Sequence, residues 1–184
     1  MSDLGTAPAS LATATVGSPE FRSFMSTFPT GVGIVTTLDS GDDRPWGMTC
    51  SSICSVSVGP PILLVCLRQG SPTLAALLLR STFAVNLLHE QARPVAELFA
   101  SGDPDRFDRV AWKAPAGSGG PHLYCDAHAV AYCRVLRHDS IGDHTVVFGE
   151  VYEVGLTEGE VSPLLYGRRR YATWPPDLAP DGAG

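Results

Sequence analysis

Residues 48–67 have the sequence MTCSSICSVSVGPPILLVCL, and this stretch decides the fold class. Small polar and apolar residues alternate over residues 48–58, which is typical of a β-strand with one buried face. The Gly-Pro-Pro sequence at 59–61 then breaks the chain. Residues 62–67 are entirely apolar, as expected of a buried strand. The stretch therefore predicts two strands separated by a turn.

The same strand patterns recur outward in both directions, and short helices lie between some of them. The predicted strands are 31–38, 48–58, 62–67, 82–88, 127–136, 145–154 and 164–166. The predicted helices are 18–28, 71–79 and 91–100, marked by cap residues, prolines and helical spacing of apolar residues. In the first, Ser18 is the expected N-cap, and the helical spacing of Phe21, Phe24, Met25 and Phe28 predicts an aromatic face that packs on the rest of the protein. Because long helices do not regularly separate the strands, we expect a mainly β domain, an antiparallel Greek-key-like barrel with short helices.

The length and composition suit one globular domain. The chain has 184 residues, of which 44% are hydrophobic, enough to form a core. Residues 1–17 are rich in Ala, Ser and Thr, and residues 175–184 are rich in Pro and Gly. We therefore expect a domain over residues 18–174, a disordered N-terminal tail and a loose C-terminal tail.

Charge and cysteine content exclude several classes of protein. A net charge of −6 is unlike the basic surface of a nucleic-acid-binding protein, and it argues against an electrostatic membrane anchor. The longest apolar stretch, residues 60–67, is far shorter than a membrane-spanning helix. The five cysteines form no CxxC pair, and their odd number fits reduced thiols better than a disulfide framework. We expect a cytoplasmic protein without nucleic-acid or membrane partners.

Two sharper motif hypotheses are rejected. Gly31-Val32-Gly33 lacks the third glycine of a dinucleotide-binding fingerprint and is followed by a predicted strand rather than a helix. A stretch rich in His and Cys suggests zinc, but its spacings match no familiar closed site, so we expect no metal. That stretch contains His122, Cys125, His128, Cys133, His138 and His144.

Three other features could bind a ligand, and each has a plain structural alternative. The small and hydroxyl residues at 47–52 would let a planar ring approach the backbone, or would simply form a weakly hydrophobic edge strand. Ser71 opens a helix near Arg68, as a phosphate site or as an ordinary N-cap. His144 follows a glycine turn at a strand end, where it could reach into a pocket or lie exposed.

In their order and spacing, these motifs resemble the flavin reductase family, the reductase components of two-component flavin-dependent monooxygenases. The matching segments are Phe28-Pro29-Thr30-Gly31-Val32, Gly47-Met48-Thr49 with Ser51-Ser52, Ser71-Pro72-Thr73, Phe83-Ala84-Val85-Asn86-Leu87-Leu88, Asp105-Arg106-Phe107, Gly142-Asp143-His144 and Pro163-Leu164-Leu165-Tyr166. The resemblance extends over residues 20–174, nearly the whole predicted domain.

This resemblance implies a split β-barrel of the FMN-binding type, a homodimer, and a flavin held near the subunit interface. By position, the residues at the flavin would be Pro45, Trp46, Gly47, Met48, Thr49, Ser51, Ser52, Cys66, Leu67, Arg68, Ser71, Thr73, Asn86, Leu98 and Phe99. The residues at the nicotinamide would be His144, Tyr166, Gly167, Arg168 and Tyr171. His144 would be the catalytic residue, and it would position the nicotinamide without being an obligatory proton donor.

The implied activity is reduction of FMN or FAD by NADH, with NADPH as a possible donor, followed by release of reduced flavin to a separate monooxygenase. The sequence does not decide between FMN and FAD. It departs from the family pattern at Trp46, where a smaller or amide-bearing residue is expected, and at Gly59, where an acidic residue is usual. The run Arg168-Arg169-Arg170 is also unusually basic, which favours a 2′-phosphate but does not by itself assign NADPH.

Two other functions fit the same predicted barrel. A flavoprotein with tightly bound flavin would act on its own organic substrate and would copurify with its cofactor. A non-catalytic flavin- or haem-binding module is the second, with His122 or His128 as an axial ligand in the haem case. The resemblance favours the reductase, because it provides candidate residues for both the flavin and the nicotinamide.

Overall fold

A computed structural model describes residues 15–115, 117–159 and 161–174. The predicted tails lie almost entirely outside these residues. Only residues 15–17 of the N-terminal tail are described, and they precede the first helix without regular structure. Within the described residues, no helix is both long and apolar enough to cross a membrane.

Ten strands and three α-helices make up the described chain. In order they are α1 (Ser18–Ser26), β1 (Thr30–Gly31), β2 (Gly33–Leu38), β3 (Pro45–Cys50), β4 (Ile53–Val58), β5 (Pro61–Arg68), α2 (Pro72–Arg80), β6 (Thr82–Leu88), α3 (Arg93–Ser101), β7 (Ala127–Ile141), β8 (His144–Leu156), β9 (Leu164–Gly167) and β10 (Arg170–Thr173). The predicted fold class, mainly β with short helices, is confirmed.

The strands form two antiparallel sheets. The larger sheet has seven strands in the order β3-β2-β6-β7-β8-β5-β4, and the smaller has the order β1-β9-β10. The edge strands of the large sheet, β3 and β4, are consecutive in the chain, so the sheet curls to bring its two edges together. The Cys50 thiol at the end of β3 donates to the Cys66 carbonyl on β5 at 3.7 Å. The result is a barrel that is split where Ser51 and Ser52 connect the two edges.

The two larger of three apolar clusters hold the barrel. The first fills the barrel interior around Phe83, a fully buried residue of β6. Gly149 on β8 makes room for that ring, because a Cβ at this position would lie 2.5 Å from Phe83 Cζ. The second cluster packs α3 against β2, and there Phe99 and Phe107 meet edge to face with ring centroids 5.0 Å apart. This second cluster lies behind β3.

Several predicted element boundaries are wrong, for identifiable reasons. The strand predicted over 48–58 is two strands, because the chain leaves the sheet edge at Ser51 and Ser52. The strand predicted over 31–38 is interrupted at Val32, which bonds to Leu164 and Leu88 instead of to a single neighbour. The third helix begins with a 3₁₀ turn, Glu90–Ala92, rather than at Gln91.

The hairpin of β7 and β8 is longer than predicted. β7 continues to Ile141 instead of ending at 136, and the turn predicted over 138–144 shrinks to Gly142 and Asp143. Gly142 has φ 61°, the left-handed conformation that such a tight turn needs. Polar residues beyond 136 suggested a loop, but pairing to the partner strand keeps them in the ladder. The short strand β10 was not predicted at all.

Helix α1 contradicts one expectation about the core. Its apolar residues were predicted to lie against the rest of the protein, but the helix has no buried residue. Phe21, Phe24, Met25 and the following Phe28 are all exposed. Its N-cap is Gly17 rather than the predicted Ser18, and no side chain caps it. The helix instead forms one wall of an open cleft.

Candidate functional site

A cleft of about 840 Å³ lies at the split in the barrel. Three parts of the chain form it: helix α1 with the residues after it, the connection between β3 and β4 with adjoining strand residues, and the turn of the small sheet. The residues that line it are Phe21, Arg22, Met25, Ser26, Phe28, Thr30, Ser51, Ser52, Ile53, Cys54, Leu64, Cys66, Tyr166, Gly167 and Arg169. Aromatic rings, hydroxyl groups and two guanidinium groups therefore face one space.

The cleft brings together residues from both predicted sets. Ser51, Ser52 and Cys66 come from the flavin set, and Tyr166 and Gly167 come from the nicotinamide set. The Cys66 N–H donates to the Ser52 carbonyl at 3.1 Å, which fixes the serine segment against β5. Burial, followed by the Coulombic effect of the Cys54 thiol, raises the pKa of Cys66, so this thiol remains protonated at neutral pH.

His144, the first residue of β8, lies on the same sheet face as Cys66, opposite Arg68 of β5. In the pairing of β5 with β8, Cys66 is opposite Val146 and Arg68 is opposite His144. Since residues two apart share a face, Arg68 and His144 continue the face that carries Cys66. The His144 Nδ1 lies 2.8 Å from Asp143 Oδ1, and its side chain is 44% exposed. It does not line the cleft itself.

The His144 ring is held in one orientation by its neighbour. The hydrogen bond from its ring nitrogen is the main cause that lowers the pKa of the Asp143 carboxyl, with the histidine charge second. An ionised carboxylate only accepts, so Nδ1 carries the proton in this contact. Gln69 supports the turn by donating to the His144 carbonyl at 3.3 Å.

The predicted phosphate side lies at the N-terminus of α2. The Ser71 hydroxyl accepts from the Leu74 N–H at 3.1 Å, so the cap prediction is confirmed. Arg68 is exposed beside it, and the Ser71 N–H donates to the Arg68 carbonyl. Thr73 is 2% exposed, so its side chain faces the interior rather than a ligand. These residues adjoin the cleft without lining it.

Other residues of the predicted flavin set lie behind the surface. Leu67 is fully buried in the first apolar cluster, and Phe99 is 2% exposed in the second, where Leu98 packs against it. Asn86 is fully buried, and its amide donates to Ile34, Thr36 and Pro121 and accepts from Leu123. Their side chains shape the site from behind.

The segment at 45–49 is held onto the protein by hydrogen bonds and packing, and it does not line the cleft. The buried Arg106 donates to the Gly47 carbonyl at 2.9 Å, and burial lowers the pKa of its guanidinium. The Thr49 hydroxyl donates to the Ala96 carbonyl at 2.6 Å, and Met48 packs on the first apolar cluster. The half-buried Pro45 begins the strand.

Trp46 has a different environment from the rest of this segment. The guanidinium of Arg44 lies 4.8 Å from its ring centroid, and the guanidinium of Arg106 lies 5.9 Å from the same centroid. The indole is therefore held among cations and does not line the cleft. Arg106 was noticed in the sequence only as part of a motif, and its role in holding this strand was missed.

The comparisons with known proteins agree with this arrangement. The family described as "Flavin reductase like domain" matches residues 25–175. The chain belongs to the flavin reductase family. It is 46% identical over 164 residues to a flavin reductase (NADPH) of Lentzea aerocolonigenes, covering 89% of this chain and 94% of that protein. It is 44% identical over 173 residues to a flavin reductase (NADH) of Kitasatospora aureofaciens, covering 94% and 90%.

A solved structure extends the family relationship to three dimensions. The NADH:FAD oxidoreductase of Streptomyces globisporus, in complex with NAD and FAD fragments, has a TM-score of 0.80 and 32% identity, covering 90% of this chain and 100% of that one. The flavin reductase component of a bacterial two-component tryptophan halogenase has a TM-score of 0.75 and 31% identity, covering 86% and 99%. The resemblance inferred from the sequence is thus confirmed, as is the split-barrel fold.

The cleft of this flavin reductase fits the chemistry of a flavin. Its volume is in the range of small-molecule sites, and its aromatic walls suit a planar ring. Exposed serines at 51 and 52 provide hydroxyl and backbone groups for ring carbonyls and nitrogens. The residues present therefore fit the group that the family implies.

The wall formed by α1 was missed in the sequence analysis of this flavin reductase. Phe21, Met25 and Phe28 were assigned to packing because their helical spacing is that of a buried face. Arg22, Cys54 and Arg169 were also missed as cleft residues.

The His and Cys residues considered for zinc are dispersed. Among the described residues, no group of three or more His, Cys, Asp or Glu side chains could hold a metal ion. Cys133 is fully buried, and burial raises the pKa of its thiol to about 12. Burial is also the main cause that lowers the pKa of His122 and His128.

Proposed function

We propose that this flavin reductase oxidises NADH or NADPH and reduces FMN or FAD in the cleft at the barrel split. The observation that carries the proposal is the meeting of Ser51, Ser52 and Cys66 with Tyr166 and Gly167 around one space. The first three belong to the flavin set, and the last two belong to the nicotinamide set. The family membership of the chain supports the same activity.

In this proposal the serine segment and β5 hold the flavin ring. Ser51 and Ser52 present hydroxyl and backbone groups, and Cys66 presents a neutral thiol. The flavin phosphate would be held at the N-terminus of α2, where the helix dipole favours an anion. Arg68 adds a positive charge there. The remaining residues of the set, buried or clamped, keep these groups in place.

The bound flavin supplies the hydride-accepting chemistry, and the residues of the chain supply orientation and shielding. Phe21, Met25 and Phe28 would provide apolar surface for the ring on one wall of the cleft. His144 would position the nicotinamide, with Asp143 holding its Nδ1 and leaving the Nε2 side of the ring toward the ligand. Tyr166 and Tyr171, whose rings meet with centroids 5.2 Å apart, lie beside the dinucleotide together with Gly167 and Arg168.

The direct test is a spectrophotometric assay of NADH and NADPH oxidation with FMN, FAD and riboflavin. We expect turnover of added free flavin under air. Flavin that copurifies tightly, combined with no turnover of added flavin, would contradict the proposal and support an enzyme with its own organic substrate.

The role of His144 is tested by His144→Ala, with His138→Ala on the same hairpin as the matched control. We expect His144→Ala to lose about ten- to hundredfold in kcat/KM for the nicotinamide, because positioning is lost. Its flavin dissociation constant should stay near the wild-type value. Unchanged kinetics would remove His144 from the site.

The homodimer is part of the proposal and has its own supporting surface. An apolar pocket with a volume of about 420 Å³ lies open at the protein surface, and its lining includes Ile53, Val58, Leu87 and Val154. Val58 is 91% exposed and Leu156 is 77% exposed, which is unusual for large apolar side chains on a monomer. Light scattering on Val58→Asp should show loss of the dimer, and a wild-type monomer would contradict this part.

The cellular setting follows from the same proposal. The reduced flavin passes to a separate flavin-dependent monooxygenase. Two relatives are named as the reductase part of a flavin-dependent monooxygenase and of a two-component halogenase. All five cysteines are free, which supports the reducing cytoplasm as the compartment. Coupled turnover with a flavin-free monooxygenase component would test this transfer, and absence of any substrate oxygenation would contradict it.

A further inference from the structure

The turn between β9 and β10 has an unusual backbone for its residues. Arg170 pairs with Gly167, so Arg168 and Arg169 are the two central residues of a hairpin turn. Their φ angles are 49° and 60°, both in the left-handed region. Hairpin turns of this kind strongly favour Gly, Asn and Asp, because a Cβ is crowded there. Two consecutive arginines therefore carry a conformational cost that suggests a functional reason.

The turn holds one of these arginines at the cleft. The Arg168 N–H donates to the Ser26 carbonyl, which anchors the turn to the end of α1. Arg169 lines the cleft, and so does Arg22 from α1. Within the described ranges, neither guanidinium takes part in an ion pair. In a protein of net charge −6, this is a local positive site without an internal partner.

The chemistry of this site points to a phosphate monoester on the dinucleotide. In the proposed function the flavin phosphate is held separately, near Ser71 and Arg68, which do not line the cleft. Tyr166 lines the cleft beside Arg169 and contacts Tyr171 edge to face, so an aromatic surface adjoins the charge. A guanidinium pairs bidentately with a dianionic monoester, whereas each phosphate of a pyrophosphate diester carries one charge.

We propose that Arg169 binds the 2′-phosphate of NADPH and makes the enzyme prefer NADPH to NADH. Arg22, on the α1 wall of the same cleft, adds to the attraction. This inference rests on the proposed function, because it takes the cleft as the dinucleotide site. It assigns a specificity-determining role to a residue outside both predicted sets.

The kinetic test compares Arg169→Gly with Arg170→Ala. Glycine suits the left-handed φ, so this variant removes the charge without straining the turn. We expect the ratio of kcat/KM for NADPH to that for NADH to exceed one in the wild type. It should fall about tenfold or more in Arg169→Gly, the value of a lost charge-assisted hydrogen bond. Arg170 is in the same basic run but does not line the cleft, so its variant should keep the wild-type ratio.

A binding test separates this inference from the activity. Titration calorimetry on flavin-free protein would use adenosine 2′,5′-bisphosphate and AMP as probes. We expect the wild type to bind the bisphosphate about tenfold more tightly than AMP, and Arg169→Gly to lose that difference. Equal binding of both probes by the wild type, or an unchanged difference in the variant, would overturn the inference.

The two failures are distinguishable. If the wild type turns over no flavin with either nicotinamide, the proposed function fails, and the calorimetry still decides whether Arg169 recognises the phosphate. If flavin turnover is normal but the specificity ratio is the same in wild type and Arg169→Gly, only the role of Arg169 fails.

Discussion

Polar side chains at the centre of the large sheet are buried and hydrogen-bonded, whereas several side chains at its split edge are exposed and lack protein partners in the described part of the chain. Around Asn86 on β6, every polar atom of the side chain has a protein partner, and the residue is fully buried. At the split, Phe21 and Phe28 are 57% and 64% exposed, and Arg169 has no ion-pair partner among the described residues. Groups that are satisfied internally stabilise the fold, and groups left unsatisfied are available to a ligand.

This comparison separates two kinds of mutational effect. A change at the centre should lower stability, because it removes partners that nothing else replaces. A change at the split should alter binding with little effect on stability, because the side chains there are already solvated.

The largest effect is expected from Asn86→Ala. The change leaves the buried Leu123 N–H without its acceptor and removes the two amide hydrogens shared among the Ile34, Thr36 and Pro121 oxygens, so the free energy of unfolding should fall by about 3 kcal/mol. Urea unfolding followed by circular dichroism measures it. Ser52→Ala, in the exposed cleft wall, is the control and should stay within about 0.5 kcal/mol of the wild type. Equal losses in the two variants would break the comparison.

A somewhat smaller loss is expected from Gly149→Ala. The new Cβ would lie 2.5 Å from Phe83 Cζ and 3.0 Å from Cys133 Cβ, so a packed ring must move. Overpacking of this kind costs about 1–3 kcal/mol. Thermal unfolding is the measurement, and an unchanged midpoint would mean that the barrel interior is looser than the packing around Phe83 indicates.

A third prediction sharpens the other side of the comparison, with Phe21→Ser against Phe24→Ser. Both rings are exposed on α1, but only Phe21 lines the cleft. Loss of one aromatic contact should raise the flavin dissociation constant roughly three- to tenfold in Phe21→Ser. Phe24→Ser should bind flavin as the wild type does, and neither change should alter stability. Fluorescence titration of flavin would measure this; identical affinities would place the ring elsewhere.

The smallest effect is expected from pH. Burial lowers the pKa of His122 and His128, with Lys113 adding to the effect at His122 and His89 at His128. In the unfolded chain each imidazole returns to the ordinary value near 6.5, so the unfolded state takes up protons first as the pH falls. Stability should therefore decrease as the pH drops below that value.

The measurement is the unfolding midpoint at several pH values for the wild type and for His128→Gln, which removes one titrating group. We expect a smaller acid-induced decrease in the variant. A midpoint that rises on acidification in this window would show that other groups dominate.

Much of the fold could be predicted from local pattern. The strand Thr82–Leu88 was predicted with the observed bounds, and the helix begun by Ser71 and Pro72 has the expected cap. These elements carry strong local signals: β-branched and apolar residues in one case, a cap followed by proline in the other. The family resemblance then supplied the split barrel, which local periodicity alone could not distinguish from other antiparallel folds.

The site was predicted less completely, because its composition depends on contacts between distant segments. An aromatic face at helical spacing looks the same whether it packs on a core or walls a cleft, so Phe21 and Phe28 were misjudged. Asn86 looked like a pocket amide, but the structure uses it to tie β6 to the loop at Leu123. The break at Ser51 and Ser52 was invisible, because small hydroxyl residues continue a strand pattern as readily as they end it.

The position of the cleft between consecutive edge strands has a further consequence for turnover. No backbone ladder closes over the gap between β3 and β4, and the wall opposite is a two-turn helix without a buried residue. We therefore expect a guest to enter and leave on the α1 side of the cleft, where no paired strands of the large sheet have to separate. Reduced flavin could then be released without loss of strand pairing in the large sheet.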